Sequence, residues 1–244
     1  MKKALLLFTS LLLAASTLTA QKLLQAVEAK NYQAAEKALK EGESVNTPTA
    51  EGQFPLWNAI WLGDTKMVEL LLNHGADAKQ KFKGESLINL LEVSSQEGHL
   101  EITKLLVKGG ADVNERSAHG QTPLRIAARN GHVELVRYFL SKGCEVDTKG
   151  DDGATPLEAA AGKGHLDIVK LLIEKGANVN IQDKEGDFAL GEAARGGHLE
   201  VVHYLLSKGA STTLKNAEGQ DAAEIARLSG QPKIQALLKS KNKE

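Results

Sequence analysis

Glycine recurs along this chain at an almost constant spacing. The intervals between successive members of the series are 32, 36, 33, 33 and 33 residues. A period near 33 indicates one supersecondary unit copied along the chain, with each copy packing on its neighbours. The spacing therefore predicts a solenoid, whose long surface is better suited to binding a partner than to enclosing a catalytic pocket. The members of the series are Gly52, Gly84, Gly120, Gly153, Gly186 and Gly219.

The unit that starts at Gly120 shows what is repeated. Gly120 can adopt the positive backbone angle that a tight turn demands. Thr122 and Pro123 predict a helix start, because threonine caps a helix and proline suits its first turn. Residues 133–141 have the pattern of a second, amphipathic helix, and Gly143 is the residue type expected where a helix ends in a left-handed conformation. Each unit is therefore predicted to be a pair of short helices.

Four sequence landmarks recur in phase through these units. In the unit at Gly153 they are G-A-T-P-L-E-A-A at 153–160, G-H at 164–165, L-L at 171–172 and G-A-N-V-N at 176–180. These strings resemble the ankyrin repeat, whose pattern is G-x-T-P-L-H-x-A-A, then G-H, then L-L and G-A-D-V-N. The resemblance covers essentially all of the chain after residue 20. It implies an all-α solenoid of about seven helix-turn-helix units, with projecting turn or hairpin tips and a concave groove.

The phase of the landmarks sets the expected boundaries. We expect a single ankyrin-repeat domain over 21–240, followed by a tail at 241–244. The end units, 21–51 and 219–240, are degenerate, as caps with only one neighbour require. The full units between them are 52–83, 84–119, 120–152, 153–185 and 186–218.

Residues 1–20 have the pattern of a secretory signal peptide. Lys2 and Lys3 precede an apolar run at 4–15, which is too short to span a bilayer, and small or hydroxyl residues follow at 16–20. We expect cleavage after Ala20 or a few residues earlier; the alternative is an uncleaved N-terminal anchor. No cysteine follows the run, so a lipid anchor is not expected. The short, lysine-led signal predicts a bacterial protein that is periplasmic or secreted.

The charge and cysteine content narrow the classes of partner. Without Lys2 and Lys3, the mature chain has 28 basic side chains against 31 acidic ones, a net charge of −3. This balance gives no reason to expect nucleic acid or an anionic membrane as a partner. The single cysteine, Cys144, excludes an internal disulfide, and its place at the alanine of G-A-D-V-N predicts an inert core thiol. We expect a protein partner and a monomeric chain.

Departures from the repeat pattern indicate where a partner would bind. Phe54 and Trp57 replace the threonine and histidine of T-P-L-H, and they either pack inward or face the partner. Trp61 and Leu62 come just before the break glycine, at positions that look onto the groove in this fold, and Phe82 lies just before the next tip. Aromatic clusters on a polar groove are typical of interface anchors. Trp57, Trp61, Leu62 and Phe82 are therefore candidate partner contacts.

Polar residues complete the candidate surface. Arg129 and Asn130 come before the break glycine of their own unit. His119, Asp151 and Asp152 lie at the tips, on the rim of the groove. All five are expected to be exposed and able to contact a partner, although free surface residues of these types need no special explanation.

Two further departures concern the helix starts. In residues 86–98 the break comes three residues late, which predicts either a first helix longer by nearly one turn or a bulged loop after it. The histidine of T-P-L-H is absent throughout, so the Thr–His link that tightens this turn in the family is not expected. The residues at its place are Trp57, Asn89, Arg125, Glu158 and Gly191.

The sequence carries no pattern for catalysis or metal binding. His99, His132, His165 and His198 recur every 33 residues. The usual distance between stacked helices puts them about 10 Å apart, too far to share a metal ion, and each is expected to brace its own loop. The chain has no H-E-x-x-H, G-x-S-x-G or paired-cysteine motif. We therefore expect no metal, no cofactor and no catalytic residue.

These features favour a non-enzymatic scaffold that binds another protein through its groove. A rigid solenoid presents many side chains with little ordering cost, which favours recognition. Two alternatives stay open: an accessory or inhibitor protein that stabilises or blocks a periplasmic enzyme, and a secreted protein that binds a host protein.

Overall fold

The computed structural model describes residues 22–49, 51–83 and 87–241. Within them the chain is mostly helical, with one two-stranded antiparallel sheet, and the predicted all-α repeat fold is confirmed. The predicted signal peptide at 1–20 and the tip glycine Gly84 lie outside the described residues. Among the helices that the structure describes, none is long and apolar enough to cross a membrane.

In the described part of the chain the helices come in pairs. The first helices of the pairs are α1 at 22–28, α3 at Pro55–Trp61, α5 at Leu90–Glu97, α7 at Pro123–Arg129, α9 at Pro156–Gly162, α11 at Ala189–Arg195 and α13 at Ala222–Leu228. The second helices are α2 at Tyr32–Lys40, α4 at Thr65–Asn73, α6 at Leu100–Lys108, α8 at Val133–Ser141, α10 at Leu166–Glu174, α12 at Leu199–Ser207 and α14 at Pro232–Lys241. The strands are β1 at Lys81–Lys83 and β2 at Leu87–Asn89. Lys241, expected in the tail, is thus the last residue of α14.

The described residues form two compact units, the first ending at Asp112 and the second starting at Val113. In the first unit, α3 packs against α4 and α5, and α4 packs against α6. In the second unit, α9 contacts both α7 and α11, α11 also contacts α13, and α10 contacts both α8 and α12. Within each unit, first helices therefore stack on first helices and second helices on second helices.

The residues before each first helix explain where it begins. The hydroxyl oxygens of Thr122 and Thr155 each accept a hydrogen bond from the backbone N–H three residues later, at 3.4 and 3.2 Å. A proline occupies the next position in both helices, so the predicted caps are confirmed. Phe54 and Phe188 hold the same position before α3 and α11 without a side-chain cap, and both rings are buried. In these two repeats burial of the ring takes the place of the capping hydrogen bond.

Helical periodicity decides which side chains form the core. In α8, whose predicted bounds are confirmed, Leu135, Val136 and Phe139 are buried while Glu134 is exposed. Ala127 and Ala128 of α7 are fully buried, and such small side chains allow neighbouring helices to approach closely. Each helix therefore buries one face against its neighbours and leaves the other to solvent.

The break between the helices of a pair depends on a left-handed glycine. Gly131 has φ 83°, and a Cβ atom at this position would lie 2.8 Å from Cε1 of His165, in the next repeat. Nε2 of His165 donates a hydrogen bond to the backbone oxygen of Arg129 at 3.1 Å, and Nε2 of His198 does the same to Gly162 at 3.1 Å. The prediction that these two histidines brace their own loops is wrong. They join their repeat to the preceding one.

A series of hydrogen bonds, which we call the 33-residue ladder, links successive repeats of the second unit. A terminal nitrogen of Arg116 donates to the backbone oxygen of Lys149 at 2.7 Å. The Lys149 ammonium donates to the oxygen of Gln182 at 3.5 Å, and the Gln182 amide donates to that of Lys215 at 2.8 Å. Each bond joins residues that are 33 apart in sequence. Neighbouring tips are thereby held at one repeat distance.

The third repeat keeps its extra residues in the hairpin before α5. The side chain of Asn89 caps α5 by accepting a hydrogen bond from the N–H of Glu92 at 2.7 Å. From Asn89 to the break glycine Gly98 the chain advances nine residues, the same number as from Thr122 to Gly131. Both predicted placements, a first helix longer by nearly a turn and a bulged loop after it, are therefore wrong.

The hairpin also changes the alignment of this repeat. Phe82 of β1 pairs with Ile88 of β2, directly before the cap. From Phe54, the residue before α3, to Asn89 the chain advances 35 residues, two more than the 33 from Asn89 to Thr122. Asn89 then corresponds to the capping threonine of T-P-L-H, and Glu92, three residues later, corresponds to the histidine. The prediction that Asn89 stands at the histidine position is wrong, because the sequence pattern was counted from the tip and not from the helix cap.

Replacing Gly131 by alanine is expected to destabilise the protein by about 2 kcal/mol or more. The left-handed backbone disfavours a side chain by roughly 1–2 kcal/mol, and displacing His165 would cost about 1 kcal/mol through its lost hydrogen bond. Gly143 is a matched control, because it has the same φ of 83° and no atom within 4 Å of an added Cβ. Urea unfolding should show a smaller loss for Gly143→Ala than for Gly131→Ala. Equal losses would mean that the contact with His165 does not stabilise the fold.

Candidate protein-binding surfaces

The first unit carries an exposed apolar surface at the end of α3. Trp61, the last residue of α3, is 48% exposed, and Leu62, directly after it, is 40% exposed. Leu56 and Ile60 on the same helix are fully buried, which fixes the orientation of α3. The structure thus confirms that Trp61 and Leu62 are apolar residues at exposed positions.

Aromatic rings support Trp61 from the core side. The ring of Trp57 lies edge-on to Trp61, with centroids 6.0 Å apart. Phe82 of β1 stacks on Trp57 at 4.4 Å with an interplanar angle of 13°, and Phe54 lies 6.3 Å from Trp57 on another side. Aromatic pairs in such geometries stabilise by roughly 0.5–1.5 kcal/mol beyond the area that they bury. We call Trp61, Leu62 and the half-buried Phe82 the aromatic surface.

The two interpretations left open for Phe54 and Trp57 are decided by burial. Phe54 is fully buried and Trp57 is only 6% exposed, so both pack inward. Trp57 is therefore corrected from a partner contact to a support of the aromatic surface. The reason is that Trp57 lies next to Leu56 on the first turn of α3 and is covered by Phe82.

Polar contacts hold the turn that follows the aromatic surface. The Lys30 ammonium donates to the backbone oxygen of Leu62 at 3.4 Å. The Tyr32 hydroxyl donates to the Asp64 carboxylate at 2.9 Å, and this hydrogen bond raises the pKa of Tyr32. Asp64 also caps α4 by accepting from the N–H of Met67 at 3.1 Å. Trp61 and Leu62 therefore lie at a turn that hydrogen bonds from Lys30 and Tyr32 hold in place.

The two positions before the break glycine carry different residues in the other repeats. Arg129 and Asn130 hold them in the fourth repeat, and both are exposed as expected. Leu228 in the last repeat is the apolar exception, at 54% exposed. The remaining pairs are Gln96 and Glu97, Gly162 and Lys163, and Arg195 and Gly196. Among the described repeats that have a break glycine, an exposed aromatic residue at this place is therefore peculiar to Trp61.

The tip residues differ in the ion pairs that they form. Two nitrogens of Arg125 donate to Asp152 at 2.8 and 2.6 Å, and the Arg125 side chain is almost fully buried. Partial burial raises the pKa of Asp152, but the hydrogen bonds from Arg125 and from the N–H of Ala154 outweigh it and lower that pKa overall. Asp152 is exposed as expected, and it is also the counter-ion of the buried Arg125. His119 and Asp151 are exposed, and Asp151 lies 3.8 Å from Arg116.

Four carboxyl groups of the second unit lie close together; we call them the carboxylate cluster. Burial, followed by the charges of Asp183 and Glu192, raises the pKa of Glu158 to about 8. Burial also raises the pKa of Glu192, although Arg195 lies 2.7 Å away and opposes the shift. Arg195 forms a second ion pair with Asp187 at 3.0 Å. The cluster consists of Glu158, Asp183, Asp187 and Glu192.

A pocket of about 250 Å³ opens beside Glu158 and Glu192. Arg125 and Arg129 of α7 and Lys163 at the end of α9 also line it. Within the described residues, no group of three or more His, Cys, Asp or Glu side chains is placed to hold a metal ion.

From the sequence, Glu158 was identified only as the residue that stands where the T-P-L-H pattern has histidine. The available signal was a glutamate at a first-turn position that the repeat pattern predicts to be buried, one repeat after Arg125. Its acidic neighbours could not be identified, because Asp183 and Glu192 come 25 and 34 residues later in the chain.

The comparison with known families agrees with this geometry. The model described as "Ankyrin repeats (3 copies)" matches residues 23–117, 90–183 and 176–244. The chain belongs to the ankyrin repeat family. Ankyrin repeats suggest a scaffold for protein–protein interaction, and the ankyrin repeat family is generally non-enzymatic.

Curated relatives share only parts of their length with this ankyrin repeat protein. It is 40% identical over 72 residues to an ankyrin repeat protein of Fowlpox virus (strain NVSL) and 34% identical over 108 residues to zygote-specific protein 3 of Chlamydomonas reinhardtii. It is 37% identical over 76 residues to the B-cell lymphoma 3 protein homolog of Mus musculus. These matches cover 30%, 44% and 31% of this chain, and 16%, 28% and 16% of the relatives. The chain thus spans less than a third of the length of these relatives.

Glu158→Gln is expected to remove a pH-dependent loss of stability. Between the ordinary pKa of 4.5 and the folded value of about 8, the folded protein holds one proton more than the unfolded chain. Stability from this group is therefore complete below 4.5 and falls by about 1.4 kcal/mol for each pH unit up to the folded pKa. Urea unfolding at several pH values should show that the free energy of unfolding of Glu158→Gln rises relative to that of the parent as the pH rises.

The exposed Glu134 provides the control for this titration. Glu134→Gln should change the free energy of unfolding by less than about 0.5 kcal/mol, since its side chain is exposed on α8. If the curve for Glu158→Gln also ran parallel to that of the parent, Glu158 would not titrate with a raised pKa.

Proposed function

We propose that this ankyrin repeat protein is a non-enzymatic scaffold that binds a partner protein through the aromatic surface. The observation that carries the proposal is the exposure of Trp61 and Leu62, at 48% and 40%, in a chain with few aromatic residues. Tryptophan is enriched among the residues that carry most of the binding energy of an interface, and Leu62 extends the exposed apolar area beside it.

The support under Trp61 favours recognition further. Trp57 limits the conformations of Trp61 before any partner arrives, since its ring lies edge-on to Trp61 and is itself held by stacking on Phe82. A side chain that is already ordered loses little entropy on binding, and this saving strengthens the complex. The exposed polar residues Lys30 and Tyr32 contact Leu62 and Asp64 beside the apolar centre, and polar residues are usual at the rim of an interface.

We further propose that the protein is exported into the bacterial envelope and acts there as a monomer. The support is the sequence of residues 1–20, with its basic start, short apolar run and small residues before Gln21. The balanced charge of the mature chain supports a protein partner over nucleic acid or an anionic membrane.

Trp61→Ala is expected to weaken the complex about 30-fold, which corresponds to about 2 kcal/mol for loss of a central tryptophan. A photoreactive amino acid at position 61, introduced in the bacterial host, should first crosslink the partner, and titration with that partner then gives the affinity. The melting temperature should change little, because Trp61 is half-exposed.

Two further variants make this experiment decisive. Lys66, exposed on α4 of the same unit, is the control position. A photoreactive amino acid at position 66 should not crosslink the partner, and Lys66→Ala should leave the affinity unchanged. Trp57→Ala should lower the melting temperature, since its ring is buried. If Trp61→Ala lowered the melting temperature while the affinity stayed unchanged, Trp61 would belong to the core and the partner would bind elsewhere.

Export is tested by the N-terminus of the mature protein. We expect N-terminal sequencing of material released from the periplasm to begin at or near Gln21, because the small residues at 16–20 offer the cleavage site. Recovery of a chain that starts at Met1 in the membrane fraction would contradict cleavage and favour the uncleaved anchor.

A further inference from the structure

The pocket beside Glu158 is small. Its volume of about 250 Å³ is below the range of roughly 300–1,000 Å³ that drug-sized ligands occupy. Ala154, Ala159 and Gly162 line it together with the charged residues, and their small size leaves the space open. A Cβ atom on Gly162 would lie 3.2 Å from Oε2 of Glu192, so even one added carbon would narrow the pocket.

A buried carboxyl oxygen in this pocket lacks a partner. Glu158 is only 7% exposed, and among the described residues its Oε2 atom has no hydrogen-bond partner. Arg125 lies nearby, but two of its nitrogens are bound to Asp152. A buried acceptor without a donor destabilises the free protein, so a ligand that supplies the donor would recover this energy.

The charges around Glu158 favour a cation over an anion. The acidic groups that line the pocket or act on Glu158 are Glu158, Glu192, Asp183 and Asp187, and the basic groups are Arg125, Arg129 and Lys163. Four negative charges against three positive ones leave a net charge of −1 when Glu158 is ionised and zero when it is protonated. The pocket therefore lacks one positive charge, and in the free protein a proton on Glu158 supplies it.

The basic groups do not fill this need themselves. Arg125 is paired with Asp152, and Arg195 is paired with both Asp187 and Glu192. Arg129 and Lys163 are exposed, so their charged groups stay at the solvent end of the pocket. An incoming anion would add a further negative charge beside the carboxylate cluster, whereas an incoming cation would balance it.

We propose that this pocket binds one cationic side chain of a partner protein, a lysine ammonium or an arginine guanidinium, which pairs with the Glu158 carboxylate. The proton of Glu158 is released to solvent as the cation enters, so charge is balanced before and after. The inference rests on the proposed protein-binding function, but it concerns the second unit and a chemistry that the aromatic surface does not have. The raised pKa of Glu158 agrees with it, since the free carboxyl group keeps its proton until a cation arrives.

The test uses single-residue probes on the full mature chain. Nα-acetyl-lysine methylamide and its arginine counterpart are titrated while the backbone amide resonances are followed by NMR, with the norleucine compound as the uncharged control. We expect saturable shifts at Glu158, Ala159 and Gly162 with one or both cationic probes and none with norleucine. Because binding releases a proton, the affinity should fall about tenfold for each pH unit below about 8 and level off above it.

Several outcomes would overturn the proposal. They are equal shifts with norleucine, an affinity that does not change with pH, and the absence of saturable shifts up to the solubility limit of both cationic probes. Glu158→Gln keeps the shape of the side chain and should abolish the shifts, so retained binding in that variant also counts against it. The pH dependence of the parent protein needs no variant and stays decisive even if Glu158→Gln folds poorly. No partner protein takes part, so failure here is distinct from failure of the Trp61 experiment.

Discussion

The structure depends on the fact that short helices of this kind cannot be stable alone. Apart from α14, the helices bounded in the fold have seven to nine residues, whereas isolated helices shorter than roughly 12–15 residues are marginal in water. Each one buries a single apolar face, as α10 does with Ile168, Val169 and Leu172, and it needs the next repeat to cover that face. Stacking therefore comes before every other feature of the fold. The left-handed glycines and the histidine contacts matter because they allow the next pair to approach.

One position of the repeat has taken three physical roles in this chain. The place of the histidine in T-P-L-H holds Trp57, which supports an aromatic surface, and Arg125, which is buried in an ion pair with Asp152. In the fifth repeat it holds Glu158, a buried acid beside a small pocket. The position can vary because the stack is held by other residues. Its side chain starts within the core and ends close to the surface, so a change there alters what the surface offers.

The sequence predicted the parts of the fold that depend on neighbours in the chain. Caps such as Thr122, the bounds of α8 and the left-handed Gly143 all follow from local chemistry. The place of the extra residues before α5 did not, because only the position of the cap Asn89 shows that they precede the helix. The partner of His165 and the environment of Glu158 were also missed, since both depend on residues one repeat away. For the aromatic surface, the exposure of Trp61 is confirmed, and its role in binding stays a prediction.

The 33-residue ladder has a consequence for folding kinetics. Its bonds from Arg116 to Lys149, from Lys149 to Gln182 and from Gln182 to Lys215 each close a loop of the same length. The entropy lost in closing a loop grows with its length, so each of these bonds costs about the same. Contacts that are local in sequence also favour fast folding. An array of this kind can therefore gain repeats without closing longer loops, and each repeat can order as soon as the next one has been synthesised.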